Sequence, residues 1–219
     1  MTRLLVLPAL LLVLSGCVTT PENAEPVTDE SHERWNQRQQ QLSTIQSWEI
    51  RGRIALFVDD KVYNLGLDWK LEKDLSIIKL EAPLGQGLIQ LEKKGQQITL
   101  LTSEGKSYSG QNAEQVLYQS TGWSIPVEGL KSWIKGINHN RSDYLPDIDS
   151  TGKALSLQQD EWRINFLQYK PSQLANRTTP VLPRKIYMKR NDLALKIVID
   201  QWQAQQKTTS TELFPSFED

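Results

Sequence analysis

The sequence predicts a mainly β protein: an unclosed antiparallel β-barrel covered by about three short helices that enclose a hydrophobic cavity. Three observations predict this fold class. Runs of alternating apolar and polar residues recur about ten times, separated by short polar turns. Two of three helical patterns fall in a single break between those runs. Strands with one apolar side form a curled sheet, and the apolar face of that sheet must be covered.

The start of the chain indicates export and lipidation. Residues 4–14 are an apolar run of eleven after one basic residue, Arg3, as in a secretory signal peptide. As a helix this run would be about 17 Å long, well short of a hydrocarbon core of roughly 30 Å. Residues 14–17, Leu-Ser-Gly-Cys, look like the lipobox of bacterial lipoproteins. The alternative is an ordinary secretory cleavage site that has a cysteine by chance.

The lipobox, together with the composition of the rest of the chain, predicts four segments. We expect residues 1–16 to be a signal peptide, and residues 17–28 to be a lipidated N-terminus and flexible tether. Residues 29–203 are the predicted globular domain, and residues 204–219 are a polar tail. Resemblance to triacylated lipoproteins implies a diacylglycerol and an N-acyl chain on Cys17, which form an effectively permanent anchor.

Composition excludes several classes of function. The chain has 25 Lys+Arg, 26 Asp+Glu, one cysteine and two histidines in 219 residues. It therefore has no basic footprint for nucleic acid, no internal disulfide and no Cys/His cluster for zinc. The sequence has no Walker loop, dinucleotide fingerprint, HExxH or GxSxG motif, so we expect no enzymatic activity.

The elements follow in order along residues 29–203. Residues 29–46 carry a narrow apolar stripe of Trp35, Leu42 and Ile45, which predicts the first helix. Asn112 as N-cap and Gly122 as terminator predict the second helix, and a third is predicted after Pro126, with Gly136 near its end. The strands are predicted at residues 48–58, 63–71, 75–82, 87–93, 96–102, 106–109, 154–158, 161–169, 184–189 and 193–202.

Several short motifs resemble the LolB family of outer-membrane lipoprotein receptors over nearly the whole chain. They are the lipobox, Trp-Glu-Ile-Arg-Gly-Arg-Ile at 48–54, Ala-Pro-Leu-Gly at 82–85, Leu-Lys-Ser-Trp-Ile-Lys-Gly at 130–136, Leu-Pro at 182–183 and Lys-Ile-Val-Ile-Asp-Gln-Trp at 196–202. Each motif alone is weak, but their order and spacing together are specific. One departure is Asn138, where the family often has proline.

This resemblance implies about eleven strands and a lid of three helices. It also implies a function: the anchored protein accepts lipoproteins from the periplasmic carrier LolA and inserts them into the outer membrane without ATP, nucleotide or metal. The implied partners are LolA, the acyl chains of lipoproteins and the inner leaflet of the outer membrane, on the periplasmic side. Val18 after the cysteine agrees with delivery to that membrane. We expect a monomer.

The apolar strand faces and the third helix provide candidate residues for an acyl-chain cavity. The alternative for each residue is ordinary core packing, since periodicity does not distinguish a filled interior from a lined cavity. An apolar pocket of several hundred Å³ would favour the cavity. The candidates are Trp48, Ile50, Tyr63, Leu65, Trp69, Ile78, Leu80, Ile89, Leu91, Ile98, Trp133, Ile134 and Ile137.

Leu84 is the candidate for contact with the membrane. It lies between Pro83 and Gly85, where turn chemistry predicts an exposed side chain, and the family resemblance implies a role in inserting lipoproteins. The alternative is an incidental turn leucine folded back on the sheet. Arg51 and Arg53, on the polar side of the first strand, are either solvated or dock an acidic carrier.

A second class of function remains open from the sequence. A structural or regulatory outer-membrane lipoprotein would use a similar sheet to bind a protein or peptide partner. It would need a filled interior or a free edge strand rather than an empty cavity.

Overall fold

The computed structural model describes residues 26–85, 87–139, 143–172 and 180–203. The predictions for residues 1–16, for Cys17 and for the tail at 204–219 lie outside these residues, as does most of the predicted tether.

Within the described ranges, eleven antiparallel strands form one sheet. The first six are β1 (Ser47–Val58), β2 (Lys61–Glu72), β3 (Leu75–Glu81), β4 (Leu88–Lys94), β5 (Gln97–Thr102) and β6 (Ser107–Gly110). The last five are β7 (Tyr144–Ile148), β8 (Ala154–Gln159), β9 (Trp162–Pro171), β10 (Val181–Arg190) and β11 (Leu193–Gln203).

The strand order shows where the barrel stays open. It is β6-β5-β4-β3-β2-β1-β11-β10-β9-β8-β7, so two meanders are joined where the first strand pairs with the last. The edge strands β6 and β7 do not pair with each other in this order. The chain that connects them contains the two helices α2 (Ala113–Thr121) and α3 (Val127–Trp133). The break that the sequence showed in the meander therefore coincides with the opening of the barrel.

A longer helix, α1 (Asp29–Ser43), precedes the sheet. Thr28 caps it, since its side chain accepts a hydrogen bond from the backbone N–H of Ser31. Trp35 and Leu42 of the predicted stripe are buried in the core. The predicted helix ended near residue 46, three residues beyond the observed end.

The predicted fold class is confirmed, with one strand missed. Strand β7 has the sequence Tyr-Leu-Pro-Asp-Ile, and its proline interrupts the alternation that identified the other strands. Proline cannot donate a ladder hydrogen bond and is tolerated in edge strands. The position of β7 at the end of the sheet is consistent with this rule.

The concave face carries the core, and the pairing of β1 with β11 is irregular at one point. Trp48, Ile50, Ile54 and Leu56 of β1 point into the core, as the alternation predicted. The register between β1 and β11 shifts at Arg51/Gly52. A Cβ atom on Gly52 would lie 2.1 Å from the carbonyl oxygen of Val198, so this close approach of two strands requires glycine.

Candidate functional site

An apolar cavity lies between the concave face and the helices that cover it. Its volume is about 50 Å³ and its wall is entirely apolar. The sheet contributes Ile54, Leu67, Trp69, Ile78, Leu80, Ile89, Leu91 and Ile197, and the covering helices and their linkers contribute Leu117, Ile125, Val127, Leu130 and Ile134.

Residues 113–137, which we call the lid, form the cover. The side chain of Asn112 accepts a hydrogen bond from the N–H of Gln115 at 3.0 Å, and Gly122 ends α2 in the left-handed region at φ 76°. Gly136, next to the last residue of the lid, is left-handed at φ 77°, and a Cβ there would lie 3.0 Å from the ring of Pro183. These turns let the apolar sides of two short helices face the sheet.

Glu128 of α3 links the lid to β4. Its carboxylate accepts hydrogen bonds from Lys93 Nζ at 2.6 Å and from Lys131 Nζ at 3.0 Å. Burial by itself would raise the pKa of Glu128, but the bonds from the two lysines outweigh it and hold the pKa below the ordinary 4.5. The ion pair therefore keeps its charge at neutral pH.

Arg190 links the lid to β10. One guanidinium nitrogen is 3.0 Å from the carboxylate of Glu114 and 2.9 Å from both the carbonyl oxygen and the hydroxyl of Ser124. The same guanidinium lies over the ring of Trp162, 4.9 Å from its centroid. A single cation thus connects the end of β10 to α2 and to the linker that follows it.

A buried amide links α3 to β8. Trp133 Nε1 donates to Gln159 Oε1 at 2.9 Å, and the same oxygen accepts from the N–H of His139 at 2.8 Å. Gln159 Nε2 donates to the carbonyl oxygen of His139 at 2.6 Å. Gln159 therefore provides hydrogen-bond partners for the indole N–H of Trp133 and for both the N–H and the carbonyl oxygen of His139.

Lys135 links the lid to α1. Its Nζ donates to the carbonyl oxygens of Leu42 at 3.1 Å and Ile45 at 3.3 Å, at and just after the C-terminus of α1. A cation is favourable at that end of a helix. Because the side chain is buried, the pKa of Lys135 falls to about 8.

The candidates named from the sequence divide into three groups. Trp69, Ile78, Leu80, Ile89, Leu91 and Ile134 line the cavity. Trp48, Ile50, Ile98, Trp133 and Ile137 are buried in the core and do not line it. Tyr63 is 37% exposed and packs on Trp123, with ring centroids 5.3 Å apart, while Leu65 is partly buried. A role for any of them in holding an acyl chain stays a prediction.

The cavity is smaller than the several hundred Å³ that would have favoured an acyl-chain site outright. For comparison, an engineered apolar cavity that binds a molecule as small as benzene has a volume of about 150 Å³. A cavity of about 50 Å³ therefore has no room for a fatty chain in this conformation. Five apolar side chains of the lid line this space opposite the sheet and leave only this small volume empty.

Leu84 lies in the connection between β3 and β4, in a single turn of 3-10 helix, Pro83–Gly85. Its side chain is 93% exposed, as the turn chemistry predicted. The backbone of Leu84 itself is left-handed at φ 62°, and that of Gly85 at φ 68°. Such a conformation costs a residue with a Cβ about 1–2 kcal/mol. The leucine is thus both strained and unpacked, so it does not stabilise the fold.

The two arginines of β1 point away from the core and form exposed ion pairs. Arg51 pairs with Glu49 at 3.2 Å and with Asp68 at 3.3 Å, and Arg53 pairs with Asp200 at 3.3 Å. Exposed pairs of this kind contribute little to stability.

Sequence reasoning missed the residues whose ion pairs and hydrogen bonds hold the lid to the rest of the protein, although the sequence carries a signal for three of them. Each of the three stands where the next core-facing apolar residue of its strand would be. Lys93 follows Ile89 and Leu91, Gln159 follows Leu157, and Arg190 follows Ile186 and Met188. A polar side chain at a core-facing position needs a partner. The alternation thus identifies such residues, but not the lid groups that they bind.

The described residues hold neither a metal-binding cluster nor a membrane-spanning helix. Residues 26–85, 87–139, 143–172 and 180–203 contain no group of three His, Cys, Asp or Glu placed to hold a metal ion. Within the same ranges no helix is long and apolar enough to cross a membrane.

Comparison with known proteins gives one family and two similar folds. The family model described as outer membrane lipoprotein LolB matches residues 46–202. The outer-membrane lipoprotein LolB of Francisella tularensis subsp. novicida is 31% identical over 200 residues, covering 91% of this chain and 93% of that protein. The LolB of Nitrosococcus oceani is 31% identical over 205 residues, covering 92% and 97%.

Solved structures of low sequence identity share the fold. A DUF1329 family protein from Desulfovibrio piger superposes with a TM-score of 0.52 at 10% identity, covering 82% of this chain and 93% of that one. A LolA superfamily protein from Nitrosomonas europaea superposes with a TM-score of 0.50 at 9% identity, covering 78% and 93%. At these identities the likeness concerns the fold alone.

Proposed function

This chain belongs to the LolB family of outer-membrane lipoproteins, which acts in lipoprotein localisation, and from that membership we propose how it handles its cargo. The protein takes the acyl chains of a lipoprotein from a periplasmic carrier of the LolA type into the space between lid and sheet. It then delivers the lipoprotein to the outer membrane without ATP. The observation that carries this proposal is the wholly apolar cavity under the lid.

The chemistry of the cargo explains why such a space is needed. An acyl chain with about 15 methylene groups loses on the order of 12 kcal/mol when it enters water. A lipoprotein therefore crosses the periplasm only if its chains stay covered. Without a nucleotide, the transfer proceeds in one direction only if the affinity for the acyl chains increases from the carrier to this protein and from this protein to the membrane. Each tenfold increase in affinity corresponds to about 1.4 kcal/mol.

Uptake requires the lid to separate from the sheet. Leu117, Val127, Leu130 and Ile134 then leave apolar partners on the strands, and the methylene groups of the chain replace those contacts. The exchange is close to neutral in hydrophobic free energy because apolar surface is buried before and after it. When no acyl chain is bound, the lid side chains therefore keep water away from the apolar concave face.

The side-chain interactions that hold the lid to the sheet differ in how much free energy it costs to break them. The pair of Lys93 and Glu128 is partly exposed, so water replaces its contacts at small cost. Gln159, by contrast, is almost fully buried, and separating it from Trp133 leaves polar groups without partners. We infer that the lid pivots near Trp133 and opens first at Glu128.

Leu84 acts at the delivery step in this proposal. Inserting one exposed leucine into a bilayer yields about 1.5–3 kcal/mol, enough to touch and orient but not to anchor. Anchoring is instead the role of the acyl chains on Cys17, which hold the domain on the periplasmic side of the membrane. Replacing Leu84 with Glu is expected to abolish transfer to outer membranes, and unaltered transfer would remove this role.

One observation favours the second function class, a structural or regulatory lipoprotein. The interior is almost filled, with only about 50 Å³ empty, as a scaffold that binds a protein partner would also have. The two functions differ in whether the interior admits a fatty acid.

Displacement of a hydrophobic fluorophore by palmitate decides between them. The test uses a chain that begins at Val18, because the buried apolar core of the described residues runs from Trp35 to Trp202. We expect palmitate to displace the fluorophore, and Val127→Phe, which enlarges a side chain on the cavity wall, to weaken binding at least about tenfold. Val62→Phe makes the same change at an exposed position and should leave binding unaltered. Equal binding by both variants, or no binding at all, would contradict the proposal.

A further inference from the structure

A basic groove runs along the convex face of the sheet beside Leu84. It has a volume of about 690 Å³, and Pro83, Leu84 and Gly85 form one edge. We call it the convex groove, and its basic residues are Arg53, Arg184, Lys185 and Lys196.

The strand register explains why these cations lie together. Arg53 of β1 is opposite Val198 of β11, and Val198 is opposite Lys185 of β10, so these residues form one row across the sheet. Neighbouring strands are about 4.8 Å apart, which places the backbones of Arg53 and Lys185 roughly 10 Å apart. Lys196 lies in the next row on the same face, opposite Ala55.

The rows of Arg53 and Lys196 also contain two small residues, Gly66 and Ala55, which leave space in the groove. Gly66 is opposite Arg53 on β2, and a Cβ on Gly66 would find its nearest atom at 3.7 Å. Together with Ala55 it leaves an open floor between the cations and the turn that carries Leu84. The turn lies beside this row because Glu81, the last residue of β3, is opposite Gly66.

The convex groove has an excess of positive charge. Arg53 and Arg184 each lie 3.3 Å from the carboxylate of Asp200, and Glu81 provides a second carboxylate at the far end. In the part of the chain that the structure describes, neither Lys185 nor Lys196 has a carboxylate within 4.0 Å. Four cations thus face two carboxylates, in a chain whose formal net charge is −1.

We propose that the convex groove binds the phosphate groups of anionic phospholipids in the inner leaflet of the outer membrane. This binding sets the face with which the domain meets the bilayer while Leu84 inserts, and it rests on the proposed function. Lysine ammonium groups attract phosphate as point charges, and an arginine guanidinium can bind it through two hydrogen bonds.

Continuity with Leu84 favours a membrane over an acidic protein as the occupant. A leucine that is 93% exposed at the edge of the groove enters hydrocarbon only if the surrounding surface lies at headgroup depth. At that depth each lysine near an anionic leaflet adds to binding, within about one Debye length of the surface.

The test measures partition of the chain beginning at Val18 onto vesicles, by sedimentation. Two kinds of vesicle are compared, one containing phosphatidylglycerol and one of phosphatidylcholine alone. The variant Lys185→Gln/Lys196→Gln removes the two lysines without separating an ion pair that the structure shows. The matched control, Lys94→Gln/Lys170→Gln, removes two exposed lysines at the end of the sheet away from Leu84, where Lys94 is opposite Leu75 and Lys170 is opposite Leu182.

We expect the groove variant to lose about 25-fold in partition onto phosphatidylglycerol vesicles, and the control less than about twofold. Raising the ionic strength from about 0.1 M to about 1 M should remove the difference, since the Debye length falls from about 10 Å to about 3 Å. Equal losses in the two variants, or equal partition onto both kinds of vesicle, would overturn the proposal. So would unchanged partition with slower uptake from a loaded carrier, which would assign the groove to an acidic protein.

Failure of this proposal is distinguishable from failure of the proposed function. Transfer of a lipoprotein into phosphatidylcholine vesicles does not depend on anionic headgroups. We therefore expect the groove variant to retain it. If the unaltered protein fails to transfer lipoprotein even there, the proposed function is at fault rather than the groove.

Discussion

Leu84→Gly is expected to stabilise the fold while it weakens contact with the membrane. The backbone of Leu84 is left-handed at φ 62°, which costs about 1–2 kcal/mol for a side chain with a Cβ. Glycine relieves that strain but loses about 0.5–1 kcal/mol more chain entropy on folding. The side chain is 93% exposed, so no packing is lost. The net gain in the free energy of unfolding is about 0.5–1 kcal/mol.

The same change removes the apolar group that we propose to enter the bilayer. Loss of about 1.5–3 kcal/mol corresponds to a fall of roughly tenfold to a hundredfold in vesicle partition. Urea unfolding measures the first effect and vesicle sedimentation measures the second. Leu167→Ala, at another exposed leucine, should leave partition unaltered. A less stable Leu84→Gly variant, or one that binds vesicles as well as the original protein, would refute the reasoning.

Three further predictions concern the sheet and the lid. Gly52→Ala should lower the free energy of unfolding by about 2–4 kcal/mol, because its Cβ would lie 2.1 Å from the carbonyl oxygen of Val198, whereas Gly66→Ala should change it by less than about 1 kcal/mol in the same urea titration. Lys135 binds a proton less tightly when folded, with a pKa of about 8 against an ordinary 10.5, so the unfolded chain holds more protons between these values and stability rises with pH. Near pH 9.5 the gain over neutral pH should be about 2 kcal/mol, and Lys135→Met should abolish it; an equal gain in that variant would disprove the assignment. The lowered pKa of Glu128 means that its contribution to holding the lid is complete above pH 4.5 and is lost as the pH falls through the lowered value. Fluorophore binding should therefore rise on acidification in the original protein and show a smaller rise in Glu128→Gln; identical pH profiles would exclude this role.

The strands and caps could be predicted because their signals are local. Trp48 to Val58 alternate for the whole of β1, and Asn112 and Gly122 bound α2 as their chemistry predicts. The one missed strand, β7, contains Pro146, which interrupts the local pattern but is compatible with the edge of a sheet. Local rules therefore gave the class of fold and most element boundaries.

The pairing of β1 with β11 follows from the whole fold rather than from either strand. No periodicity indicates that residues near Gly52 and Val198 meet, although the glycine is required there. The register across that contact also places Arg53, Lys185 and Lys196 in one groove. A site built from neighbouring strands that are distant in sequence is visible only in the structure.

The size of the cavity could not be predicted for a similar reason. Alternation shows that Ile78 and Leu91 face inward, but not how far Leu130 and Ile134 penetrate between them. Volume depends on side-chain interdigitation across two layers, where one methylene group is significant. The sequence thus identified six residues of the cavity wall among thirteen candidates, and the lid accounts for the small remaining space.

The most direct test of the account is where an acyl chain lies in the loaded protein. A lipoprotein whose acyl chain carries a diazirine is transferred from the carrier, photolysed, and the labelled residues are identified by mass spectrometry. We expect labels on Val127, Leu130 and Ile134 of the lid and on Ile78 and Leu91 of the sheet. Labels confined to exposed leucines such as Leu145 and Leu167, with none on the cavity wall, would contradict the account.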